Sequence, residues 1–104
     1  MKTLYHYSTT KFESFDTSKC DGIWLTDISP EQTDLLEEIG ANGINYVAIC
    51  HADTENSVSN GSNYDVESQL ANEDADCIEN SYDGFTDYAF ADSSKVQIIE
   101  WIEL

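Results

Sequence analysis

The chain has 104 residues, 40% hydrophobic and 12% aromatic, and carries a formal charge of -17 from 21 acidic residues against four lysines and no arginine. That length suits one core and a single domain over residues 1–104, the strand-length aliphatic runs argue against disorder, and the charge disfavours direct contact with a phosphate backbone. No run approaches the roughly 18 to 20 apolar residues of a membrane span, and MKTLYHYSTTKF lacks the apolar stretch of a signal peptide, so a cytoplasmic protein is expected.

Residues 3–7, TLYHY, and 22–27, GIWLTD, are rich in β-branched and aromatic side chains and read as strands, the second introduced by a glycine. Ser29 as cap, Pro30 in the first helical position, Gln32 completing a capping box and Gly40 as stop predict a helix from Pro30 to Ile39. Leu35, Leu36 and Ile39 form its apolar stripe, leaving Glu31, Asp34, Glu37 and Glu38 to solvent. Residues 44–50, INYVAIC, are apolar or small at nearly every position, as in a central strand covered on both faces. The stretch HADTENSVSNGSN, with its Asn60-Gly61 pair, reads as a long loop. In residues 65–79, DVESQLANEDADCIE, Val66, Leu70, Cys77 and Ile78 fall near helical spacing and predict a second helix, against the repulsion of its crowded carboxylates. After a turn at Tyr82-Asp83-Gly84, FTDYAFA and KVQIIEWI read as strands joined into a hairpin by Asp92-Ser93-Ser94. The expected architecture is an α+β domain of about five mainly antiparallel strands and two helices. Cys20, Cys50 and Cys77, odd in number and widely spaced, suit reduced, buried structural thiols.

Between Cys20 and Ser94 there is no Lys or Arg, yet 17 Asp and Glu fall in that interval. Such charge repels itself and destabilises the compact state, a cost that solubility alone does not require. Tyr64, Asp65, Glu67, Glu73, Asp74, Asp76, Glu79, Tyr82 and Asp83 form the candidate contact face, its aromatics supplying packing area. In length and acidity the chain resembles the DNA-mimic inhibitors of bacteriophages and mobile elements, including anti-CRISPR proteins. That resemblance implies a monomeric, cofactor-free inhibitor in a bacterial host cell. It would occupy the basic nucleic-acid-binding groove of a defence complex of the CRISPR-Cas kind.

The opening LYHYSTTKFESFDTSKCDGIWLTD, with its strand, histidine, small hydroxyl residue and later G-x-aromatic-x-[ST] strand, and the ending YDGFTDYAFADSSKVQIIE carry a second resemblance. Both are similar to the ends of ADP-ribosyltransferases of the histidine-tyrosine-glutamate type, which implies a reduced form of that family's sheet. The resemblance implies NAD as cofactor and transfer of ADP-ribose to a host protein. His6 then matches the histidine that bonds the nicotinamide-side ribose, and Trp24 the aromatic that stacks on nicotinamide. Asp87, one carbon shorter, matches the glutamate that stabilises the oxocarbenium-like transition state.

No metal site is expected. NEDADCIENSYDG lacks the D-x-[DN]-x-[DN]-G register of a calcium loop, and the Cys and His residues lack the short spacings of structural zinc sites. Cys50 and His51, as strand neighbours, point to opposite faces and do not make a nucleophilic pair.

Overall fold

Side chains that alternate in direction along each strand organise this chain around one sheet with a core on each face. In the computed structural model, which describes residues 1–15, 22–38, 40, 44–59 and 66–104, seven strands pair in the order β4-β5-β6-β2-β1-β3-β7. They are β1 (Lys2–Ser8), β2 (Ile23–Thr26), β3 (Tyr46–Ala52), β4 (Ser57–Ser59), β5 (Cys77–Tyr82), β6 (Phe85–Phe90) and β7 (Val96–Glu103), with helices α1 (Thr33–Glu38) and α2 (Val66–Glu73). Every pairing is antiparallel except that of β4 with β5. A parallel pair needs a crossover, and α2 supplies it.

One face of the sheet buries Leu4, Ile23, Leu25, Ala48, Cys50, Cys77, Tyr88 and Phe90, with Phe15 and Trp101 packed over them. The other face carries a smaller cluster in which Val66 and Leu70 of α2 cover Ile78 and Ala89. Residues on adjacent positions of one strand, such as Cys77 and Ile78, therefore serve different cores. Of the residues 44–50 expected to form a core strand, 46–50 do so as part of β3, held between β1 and β7, while Ile44 and Asn45 precede it.

The first helix is shorter than its cap signals predict. Gln32 Oε1 accepts from the Ser29 amide at 2.8 Å, as a capping box requires, but the Gln32 amide bonds the Ser29 carbonyl at 3.0 Å in a turn. The helix then starts at Thr33 rather than Pro30. Gly40, at φ +78, ends it as expected; Ile39 lies outside the described residues.

Three expectations are corrected. Residues 65–79 are not one helix: Asp74, at φ 52, turns the chain out of α2, and the Asp76 amide bonds the Asn56 carbonyl at 2.9 Å, starting β5. Residues 51–63 are not all loop, because β3 runs on to Ala52 and Ser57–Ser59 pairs with Cys77, Ile78 and Glu79. These extra strands raise the count from about five to seven among the described residues. Finally, β6 and β7 form no hairpin. Asp92 Oδ1 accepts from the Ser94 amide at 2.9 Å and its hydroxyl at 2.7 Å, fixing a 3-10 turn at Ser93–Lys95 that sends β7 to the far edge beside β3. The hairpin is β5–β6, where Tyr82 pairs with Phe85 across Asp83-Gly84 and Gly84 takes φ +95.

Gly22 leads into β2 at φ +88, and a Cβ there would lie 3.0 Å from Val66 Cγ2. Left-handed backbone costs a non-glycine residue about 1–2 kcal/mol. Gly22→Ala should therefore lower the melting temperature by more than Gly40→Ala, whose added methyl meets nothing within 4 Å. Equal shifts in thermal melts would show that α2 yields to the methyl without loss.

Candidate functional site

β1 registers against β3 over seven pairs and β2 against β6 over four, but β1 and β2 share only Tyr5 with Thr26. Beyond that point an imidazole takes the place of a ladder bond: His6 Nδ1 donates to the Trp24 carbonyl at 2.8 Å. A carbonyl only accepts, so Nδ1 carries the hydrogen and Nε2 of the neutral ring has the lone pair. Burial pulls the His6 pKa below 6.5, opposed by the bond to Trp24, and the ring is neutral at pH 7.

A cavity of about 280 Å³ opens where the two strands part, lined by Tyr5, His6, Tyr7, Trp24, Leu25, Thr26 and Asp87 together with Gly40 and Ile44. Strand parity decides which side chains meet there. Tyr5 registers with Thr26, Thr26 with Asp87, and Trp24 with Ala89, so Trp24, Thr26 and Asp87 share the α2 face of the sheet. His6 registers with Ala48, and its ring stands edge-on to Phe12 at 5.8 Å and Phe15 at 5.0 Å, on the opposite face. The structure thus brings Trp24 and Asp87 together and sets His6 in the wall between the faces, touching Trp24 through its backbone.

Asp87 is half-buried, and loss of water raises its pKa above 3.8. A hydrogen bond from the Thr26 side chain opposes this, and the charge of Asp27 adds to the rise. Asp27 is itself fixed, its Oδ1 accepting from the Thr86 amide at 3.0 Å. A concave, largely aromatic site with one perturbed carboxyl group has the physical make-up of a small-molecule pocket. Sequence reading gives no role to Thr26, Tyr5 or Tyr7. Their signal was the two-residue alternation in TLYHY and IWLT, which sets Tyr5 with Tyr7 and Trp24 with Thr26.

The residues of the expected contact face fall into two groups: Glu67, Asp74 and Asp76 line one cavity beside Lys95, and Glu79 and Tyr82 line another. Tyr64 and Asp65 lie outside the described residues. Glu67 and Glu73 are exposed on α2, with Glu73 Oε2 accepting from Gln69 at 3.2 Å, and Asp74 ends that helix. Asp76 pairs with Lys95 at 3.2 Å. Glu79 accepts from Ser57 Oγ at 3.1 Å and, two residues from Cys77, faces away from α2. Tyr82 stacks on Phe85 at 4.9 Å beside Asp83, at the tip of the hairpin.

Cys50 and Cys77 are buried free thiols, pushed up by burial to about 12 and about 11, which leaves them protonated and unreactive. Cys20 lies outside the described residues. Among the described residues no group of three or more His, Cys, Asp or Glu is placed to hold a metal ion, and no helix is long and apolar enough to cross a membrane. Comparison with known proteins returns no match to a family model, a curated protein or a solved structure.

Proposed function

We propose that the cleft binds the nicotinamide-ribose end of NAD and that the chain is a small ADP-ribosyltransferase-like protein. The observation that carries this reading is the convergence of Trp24, Thr26 and Asp87 on one face of one cavity, with His6 in its wall. Trp24 offers a flat surface for the pyridinium ring. Thr26 orients the Asp87 carboxylate towards the ribose. As the bond between C1′ and the pyridinium nitrogen breaks, its electron pair leaves with neutral nicotinamide. The carboxylate then stabilises the positive charge left on the sugar until an acceptor hydroxyl, amine or water adds to C1′ and gives up its proton. His6, neutral and held through Nδ1, keeps the two strands apart at the cleft. Release of nicotinamide from NAD, followed by chromatography, tests the reading; release abolished in Asp87→Asn supports it, and no release above buffer refutes it.

A second reading concerns the surface. Exposed carboxylates stand on both helices without a basic residue in either last turn, and the three described lysines are engaged at Tyr88, Tyr46 and Asp76. That field suits a basic nucleic-acid-binding protein of a bacterial host, whose DNA or RNA groove the chain would occupy. In a pull-down from bacterial lysate, one complex should be retained at low salt and released by salt or competing DNA. Retention that ignores both would refute the mimicry.

A further inference from the structure

We infer that the cleft favours N-ribosyl pyridinium nucleosides without phosphate over the same head group carried on a pyrophosphate. This rests on the nicotinamide-ribose reading of the cleft and deepens it to a substrate class.

The head group and its phosphates make opposite demands. An N-ribosyl pyridinium ring is flat and cationic, and it meets the rings of Tyr5, Tyr7 and Trp24 and the carboxyl of Asp87, the partners an aromatic cation seeks. A pyrophosphate needs Arg, Lys or a helix N-terminus. The whole chain has four lysines and no arginine. Lys2 Nζ donates to the Tyr88 hydroxyl at 2.9 Å, and Tyr88 lies on the face of the sheet opposite Asp87. Lys11 sits over the Tyr46 ring at 5.2 Å, and Lys95 holds Asp76 at 3.2 Å. None of these three lines the cleft. Gly40, which does, brings the carbonyl end of α1 to it rather than the amide end. The formal charge of -17 acts on every phosphate in the same direction, attracting the riboside and opposing the nucleotides.

Calorimetric titration with nicotinamide riboside, nicotinamide mononucleotide and NAD separates the possibilities. At roughly 10 mM salt the riboside should bind about tenfold or more tightly than NAD, with the mononucleotide between, and the gap should narrow at roughly 0.5 M salt as the field is screened. Trp24→Ala should weaken all three alike. NAD binding as tightly as the riboside, or more so, overturns the inference while leaving the cleft reading intact. Loss of that NAD affinity in Lys19→Ala would then identify the phosphate holder as the one lysine outside the described residues. Failure of all three ligands to bind overturns the cleft reading, and this inference with it.

Discussion

Asp87→Asn should lower nicotinamide release from NAD by about 10²–10³ while raising the melting temperature at pH 7. Asparagine keeps the shape and the hydrogen bond with Thr26 but brings no negative charge to the sugar in the transition state. The stability change has the opposite sign because of where the carboxyl sits. Burial raises the Asp87 pKa above 3.8, so the folded chain holds that proton more tightly than the unfolded one. The stability this gives is present below 3.8 and is lost as pH rises through the raised value. At pH 7 the native protein carries a desolvated charge that the variant lacks. The difference in melting temperature should therefore be largest near neutrality and close as the pH is lowered to about 4. A variant that melts lower at pH 7 would show that the Thr26 bond to the carboxylate outweighs its burial, and Asp87 would then be a structural residue.

Phe90→Ala should cost about 3–5 kcal/mol, the range for removing a buried phenylalanine ring. Phe90 is fully buried and registers with Ile23 on one side and Cys77 on the other, so its ring joins both halves of the larger core. A domain of this size has roughly 5–15 kcal/mol in all, and the charge repulsion draws on that margin. At about 4–8 °C per kcal/mol, the melting temperature should fall by at least about 12 °C. Phe85→Ala, at the hairpin tip with its ring stacked on exposed Tyr82, is the control and should shift it far less. Comparable falls in both variants would mean that the core is not organised around β6.

The parts of this fold legible in the sequence were those with local causes. TLYHY and GIWLTD are rich in β-branched and aromatic residues, Gly40 stops a helix, and Asp83-Gly84 makes a turn, each within a few residues. What was missed depended on partners far along the chain. Ser57–Ser59 is three polar-flanked residues with no strand signal of its own, and only Cys77, Ile78 and Glu79 make it one. Cys77 and Ile78 suggest a helical stripe because both are apolar, whereas each faces a different core. The candidate cleft was half legible. His6, Trp24 and Asp87 were singled out through a resemblance, but the register of Thr26 with Asp87, which puts them at one cavity, has no local signature. The same register shows why His6 is set apart: one step along β1 is one step to the other face.

The strand order also sets a schedule for the chain as it is made. Ile23–Thr26 shares a single registered pair with β1, and its four-pair partner is β6, with Asp27 and Thr86 bonded across 59 residues of sequence. During synthesis Ile23, Leu25 and Leu4 therefore emerge long before the side chains that will bury them. Such long-range pairing makes folding slow and leaves apolar strands open to neighbouring nascent chains. Carboxylates between Cys20 and Ser94 give such nascent chains like charge, which opposes their association during that interval.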